Sequence, residues 1–152
     1  HDDLIDHAEL QGAIRTAVCL DESITTVRQV EQALRLNSCR YVNVKPGRVG
    51  GLTNAVKIHE RCRGAGIPCW VGGMLESATG AAHCVALAML DNFTYPADIF
   101  PSSRVYREDL SDPPLELTSS TDGIPSVRAY AELPNPVPAR LARATQQQAV
   151  LE

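Results

Sequence analysis

Nothing in this sequence pairs its cysteines. There are five, at Cys19, Cys39, Cys62, Cys69 and Cys84, with no C-x-x-C spacing among them. An odd, scattered set argues against both a disulfide framework and a zinc ribbon. These cysteines read instead as small buried apolar residues in a reducing cytoplasm. Positive charge is not in excess either. The net charge of −4 gives no electrostatic reason to expect nucleic acid or an anionic membrane as partner. No apolar run is long enough for a bilayer, since the longest, around Ala81 to Leu90, is interrupted by His83. A secretory signal is missing from the start, and the first residue is His1 rather than Met. The expectation is therefore a fragment or a processed product of something longer. What is present is ordinary globular material. The 152 residues are 44% hydrophobic and 21% charged, enough for one domain with a substantial core.

The pattern along the chain alternates between strand and helix. Ala17 to Leu20 is β-rich and ends in Asp21-Glu22-Ser23. A helix is expected from about Thr26 to Leu36, capped by Thr25 or Thr26, with Val27, Val30, Ala33 and Leu34 near one face and Asn37 as its stop. Tyr41 to Lys45 reads as a second strand, halted by Pro46-Gly47. Gly50-Gly51 leads into a second helix, about Thr53 to Arg63, with Ala55, Val56, His59 and Cys62 inside and Gly64 and Gly66 at its end. Pro68 to Val71 is a third strand, and Thr79 to Leu90 an Ala-rich third helix. A weaker strand is expected over Ala97 to Phe100. The repeat of about 25 residues argues for parallel βαβ units, because each crossover needs a dozen residues or more. His7, His59 and His83 fall on helices and read as core-edge or surface residues. Trp70 is expected between the strand and helix layers.

In parallel α/β folds, reactive groups collect at the carboxyl ends of the strands. Here the three clearest strands end in Asp21-Glu22, in Lys45 and in Gly72-Gly73-Met74-Leu75-Glu76. A carboxylate, an amine and a Gly-rich turn thus share one rim. A carboxylate at a strand end can ligate a hard divalent cation. A lysine one strand away, near that cation and partly desolvated, can work as a base near neutral pH. Such a metal would hold a substrate carboxylate and stabilise the enediolate left when the α-proton departs. Pairing a lysine base with Mg²⁺ is a known pattern of enolase-type sites.

Three segments carry a resemblance. They are Cys19-Leu20-Asp21-Glu22-Ser23-Ile24, then Asn43-Val44-Lys45-Pro46-Gly47-Arg48-Val49-Gly50-Gly51, then Trp70-Val71-Gly72-Gly73-Met74-Leu75-Glu76-Ser77. Together they resemble the o-succinylbenzoate synthase and N-acylamino acid racemase family of the enolase superfamily. Asn92 to Ile99 is similar to that family's eighth-strand region. The resemblance implies the C-terminal part of an α/β (β/α) TIM-type barrel, about strands five to eight, over residues 1–110. A return segment follows over 111–135, and a tail over 136–152, helical or disordered. It implies Asp21 as a metal ligand for Mg²⁺ (or Mn²⁺) and Lys45 as the catalytic lysine. Gly73, Met74 and Ser77 would contact substrate, Glu22 would support the metal site, and Asn43, on the same side of its strand as Lys45, would lie near that lysine. Glu76 and Arg48 are weaker candidates. The implied partner is a small-molecule carboxylate, with no nucleic acid and no membrane, in a cytoplasmic enzyme that is homo-oligomeric at full length.

The implied reaction is a lyase step, α-proton removal and dehydration of a cyclohexadiene carboxylate to o-succinylbenzoate, a menaquinone precursor. In that reaction a lysine on the opposite face moves the proton, and Lys45 stabilises charge. The alternatives are racemisation of N-acylamino acids, where both lysines exchange protons, a muconate-cycloisomerase-like enzyme, and a non-catalytic barrel fragment. Asp98-Ile99-Phe100 lacks the D-x-D signature of dipeptide epimerases, and no His ends the third strand as mandelate-racemase-like chemistry would want. Two further metal carboxylates and a K-x-K pair of the family have no counterpart here. The isolated chain is therefore expected to be inactive and prone to associate.

Overall fold

A computed structural model describes residues 3–146. Its elements begin with α1 (Leu4–Ala13), β1 (Cys19–Leu20), α2 (Val27–Leu36), β2 (Tyr41–Val44), α3 (Leu52–Gly64), β3 (Cys69–Val71) and α4 (Ala78–Ala88). The three strands form one parallel sheet in the order β1-β2-β3, with Cys19 opposite Tyr41 and Asn43 opposite Trp70. This is the βαβ arrangement that the spacing predicts.

Local chemistry explains the helix ends. Thr26 caps α2 through a reciprocal box. Its hydroxyl accepts from the Gln29 N–H at 3.2 Å, and Gln29 Oε1 accepts from the Thr26 N–H at 3.0 Å. Asn37 closes the helix in the left-handed region at φ 58°. Before α3, Gly50 and Gly51 take φ values of 84° and 103°, which suit glycine best. The inner face of α3 is Ala55, Ile58, His59 and Cys62. Val56, expected inside, is exposed instead. The 3, 4, 7 spacing from Ala55 selects Ile58, and Val56 sits one residue off that stripe.

The core lies between the sheet and its helices. Leu20, Val42, Val44, Cys69 and Val71 point from the strands into a cluster with Val30, Ala33, Ala55, Ile58 and Leu87. Strand alternation sends Cys19, Tyr41, Asn43 and Trp70 to the other face. Two expectations are corrected by that parity. Trp70 does not lie between strand and helix layers, and Cys19 is exposed while the other four cysteines are buried. No continuous strand forms over Ala97 to Phe100. Only isolated parallel bridges pair Phe93 with Cys69 and Asp98 with Gly72. Pro96 and Pro101 flank this stretch and lack the N–H groups that a ladder uses.

The chain divides into two compact units. The first runs up to Met74 and includes His83–Ile99; the second takes Leu75–Ala82 and the chain from Phe100 onward. In the second unit β4 (Ser111–Asp112) pairs antiparallel with β7 (Asn135–Pro136), and β5 (Thr118–Ser119) with β6 (Pro125–Ser126). The β5–β6 turn uses Asp122-Gly123, with Gly123 at φ 77°. Residues 135–138 hold β7 and, despite their prolines, the start of α5 (Pro138–Ala144). Proline is tolerated at a strand edge and in the first helical turn, so these prolines do not forbid either element. Buried Asp109 organises this unit, accepting from the Ala78 N–H at 2.9 Å, the Ser111 N–H at 2.7 Å and the Ser102 hydroxyl. Within the tail, α5 ends at Ala144, and the part beyond residue 146 lies outside the described residues.

Candidate active site at the strand ends

Three rim residues of the first unit each sit one residue past a strand. Asp21 follows β1, Lys45 follows β2 and Gly72 follows β3. Because the strands are parallel and in register, their ends meet on one rim. Lys45 Nζ is 3.0 Å from Asp21 Oδ2, across 24 residues of sequence. Arg48, one turn beyond Lys45, donates from Nη1 to the other oxygen, Asp21 Oδ1. The turn that brings it there is held by the Arg48 and Val49 N–H groups donating to the Lys45 carbonyl at 2.9 and 3.1 Å. Glu22 is more exposed and touches the cluster only through Arg48, at 3.8 Å.

The electrostatics follow from that geometry. Partial burial of Asp21 opposes its ionisation. The hydrogen bonds and charges of Lys45 and Arg48 outweigh it and hold the carboxyl below the usual carboxylate range. The result is an ionised carboxylate clamped by two cations at the open end of a parallel sheet. Such a cluster can bind and orient a carboxylate substrate and deliver an ammonium group to it.

Asn43 lies on the same face as Lys45, two residues earlier, and is 1% exposed. Its Oδ1 has no hydrogen-bond partner among the described residues. A buried bare acceptor beside an amine is costly unless something is meant to meet it. Gly73 is half-buried and donates its N–H to the Asp98 carbonyl at 2.7 Å. Met74 is 44% exposed. Ser77 belongs to the second unit, where its hydroxyl accepts from Ser111 Oγ at 3.3 Å. The geometry of the first unit therefore brings together Asp21, Lys45, Asn43 and Arg48, with Glu22 at the margin.

The sequence of the matched region decides the family. The family model described as enolase C-terminal domain-like matches residues 1–125. This chain belongs to that family. Within it, the chain is 48% identical over 116 residues to an o-succinylbenzoate synthase of Bacillus subtilis (strain 168), covering 76% of this chain and 31% of that protein. It is 47% identical over 112 residues to an N-succinylamino acid racemase of Amycolatopsis sp, covering 74% of this chain and 30% of that protein. Among solved structures, an enolase-superfamily member from Listeria innocua Clip11262 is 47% identical with a TM-score of 0.72, covering 77% of this chain and 32% of that one. The chain thus spans about a third of the length of the relatives it matches. The fold is the C-terminal part of an enolase-superfamily TIM-barrel enzyme, as the three motifs imply.

The described residues do not by themselves fit a divalent cation. No group of three or more His, Cys, Asp or Glu converges among them. Asp21 offers one carboxylate, and both of its oxygens are engaged by cations. A hard six-coordinate ion needs more donors than this. No helix among the described residues is long and apolar enough to cross a membrane.

Sequence reasoning gave Arg48 too little weight. Its three-residue step from Lys45 was the available signal, since a turn of that length folds back onto the same rim. Gly72 was passed over for its neighbour Gly73. Nothing local distinguishes the two glycines; only strand parity against Asn43 and Lys45 does.

Proposed function

We propose that the protein carrying this chain is an o-succinylbenzoate synthase, a lyase that removes the α-proton of a cyclohexadiene carboxylate and eliminates water in menaquinone biosynthesis. The observation that carries this reading is the Lys45–Asp21 contact of 3.0 Å at adjacent strand ends. It stands in a chain at 45–48% identity to several synthases. In this reaction Lys45 is held in place by Asp21 and faces the substrate. There it offsets the negative charge that develops when the proton leaves. Arg48 holds the second oxygen of Asp21, so the carboxylate cannot rotate away. Gly73, Met74 and Ser77 are our candidates for substrate contacts. Asn43 and Glu22 are our candidates for supporting roles.

A second reading is racemisation of N-succinylamino acids, favoured by 47% identity to the Amycolatopsis racemase. There Lys45 gives a proton to, or takes it from, the α-carbon on its own face. The two readings share every residue named here. The cofactor we propose is Mg²⁺ (or Mn²⁺), with Asp21 as one of its ligands. We further propose a cytoplasmic, homo-oligomeric enzyme acting on a small carboxylate, without nucleic acid or membrane as partner. The 152 residues alone should be inactive, since no group of three or more candidate metal ligands converges among the described residues.

The test assays the enzyme containing this segment against the cyclohexadiene carboxylate and N-succinylamino acids, with Mg²⁺ or Mn²⁺. Turnover of the first supports the synthase, and of the second the racemase. Turnover of neither sinks both. Metal-dependent turnover by the isolated 152-residue chain would refute the proposed inactivity.

A further inference from the structure

Gly72 is buried at the end of β3, facing Asn43 and Lys45 across the sheet. Its φ lies outside the left-handed region, unlike Gly50, Gly51, Gly66 and Gly123. The backbone at this position would therefore accept alanine. The side chains around it would not. A Cβ on Gly72 would stand 2.7 Å from Lys45 Cε and 2.7 Å from Asn43 Nδ2, and nearer still to Asn43 Oδ1. Distances that short are repulsive, and two of the three atoms belong to a fully buried amide with little room to yield.

The backbone of Gly72 is also fixed in place. Its N–H donates to the Val44 carbonyl at 3.1 Å, and the next N–H, from Gly73, donates to the Asp98 carbonyl at 2.7 Å. A clash at this position is therefore relieved by moving side chains, not strand. The side chain with freedom to move is Lys45, which has four rotatable bonds and partial exposure.

We propose that Gly72 and Asn43 form a slot that positions Lys45. The bare backbone of Gly72 is one wall, the amide of Asn43 is the other, and the slot directs the lysine stem onto Asp21. Gly72 is a positioning residue in this scheme, because it touches the lysine and not the reacting atoms. The slot also accounts for the bare Asn43 Oδ1. The lysine's terminal carbon and that oxygen crowd the same point above Gly72. A rotation of the last side-chain bonds brings the ammonium from Asp21 to Asn43 without moving the stem. The catalytic value of this slot rests on the proton-abstraction reading above; the slot itself does not.

The experiment therefore reads the lysine directly, on the 152-residue chain and without substrate. The sequence has two lysines, Lys45 and exposed Lys57, so ¹³C,¹⁵N-lysine labelling gives one reporter and one internal reference. In the wild type we expect the two Hε protons of Lys45 to be inequivalent, with cross-relaxation to Gly72 Hα and to the Asn43 amide. Gly72→Ala should abolish those cross-peaks and merge the Hε signals, with Lys57 and the core methyl signals unchanged. Asn43→Ala removes the opposite wall with no added bulk. It should also merge the Lys45 Hε signals, which covers the case in which Gly72→Ala fails to fold. Lys45 signals and cross-peaks to position 72 that survive in either folded variant overturn the slot. Failure of the assays above with an intact slot would instead remove only the reaction.

Discussion

The two faces of the three-stranded sheet are built from the same strands and have opposite characters. Toward the helices stand Leu20, Val42, Val44, Cys69 and Val71, each at most 1% exposed. Toward the other side stand Cys19, Tyr41, Asn43, Trp70 and the strand-end residues Asp21 and Lys45; Cys19, Tyr41 and Trp70 of this set border, with Tyr95, a hollow of about 580 Å³ that the charged residues do not line. The first face is all packing. The second holds a charge cluster, a bare amide oxygen and aromatic rings that the helices do not cover. A period of two along each strand thus assigns stability to one set of residues and chemistry to the next. Neighbours in sequence should then fail in different ways when altered.

Lys45 and Val44 make the sharpest contrast, because they are adjacent and point to opposite faces. Lys45→Ala in the enzyme containing this segment should lower turnover by up to ~10⁴-fold, within the range of general acid–base groups. Its thermal midpoint should stay within a few degrees of wild type. Near-normal kcat would remove Lys45 from the chemistry. Val44→Ala should do the reverse. Deleting two buried methyl groups costs about 2 kcal/mol, read as a lower urea midpoint at constant slope. The Lys45–Asp21 geometry, and with it any activity, should persist below the transition. A neutral Val44→Ala would mean that the helix-facing side is not the core it looks to be.

That division was partly legible in the sequence. The helix and strand order and the two rim charges of Asp21 and Lys45 follow from periodicity and strand-end logic. Thr26 and Asn37 declare the ends of α2 through ordinary capping chemistry. Strand parity within β2 is legible too, whereas its extension across the sheet to Trp70 depends on register. Counting by twos from Val42 and Val44 places Asn43 and Lys45 together, and register then places Trp70 beside Asn43, away from the helices. Val56 was misread because a helical stripe tolerates a one-residue error until tertiary packing selects between Val56 and Ile58. The partnership of Arg48 with Asp21 is signalled only by the three-residue step from Lys45, and the choice of Asp21 as its partner comes from the turn meeting the neighbouring strand end in three dimensions. Asp109 carries no sequence signal at all. Its role comes from a buried helix start and a loop that meet only in three dimensions.

The rim charges should also show in acid. Asp21 is held below the usual carboxylate range by Lys45 and Arg48, against the cost of its partial burial. A depressed folded-state pKa means stability that is present above the unfolded value, about 3.9, and lost as pH falls through the folded value. Because the pair is partly exposed, solvent screening limits the effect to roughly 1 kcal/mol or less. Asp21→Asn should therefore lose that contribution of roughly 1 kcal/mol or less at pH 7 and flatten the acid limb of stability below about pH 4. An unchanged acid limb would show that the ion pairs do not persist in solution.

The smallest effect concerns thiols and leaves stability alone. Four cysteines are buried on or behind the helix-facing side, and Cys19 alone stands on the open face. Burial pushes Cys39 up to about 12, with repulsion from Cys62 and Cys19 adding to it, so at pH 8 that thiol is protonated as well as inaccessible. Cys19 is also raised, chiefly by desolvation and further by Asp21, although the Trp70 indole N–H, 3.2 Å from its sulfur, partly offsets this. A disulfide reagent at pH 8 should therefore modify one thiol per native chain, more slowly than a free cysteine, and all five after denaturation. Trp70→Phe removes the donor to that sulfur and should slow the native reaction by a few-fold further. Two or more thiols reacting in the native chain would mean that the helix-facing layer opens, and the contrast between the faces would be weaker than the packing indicates.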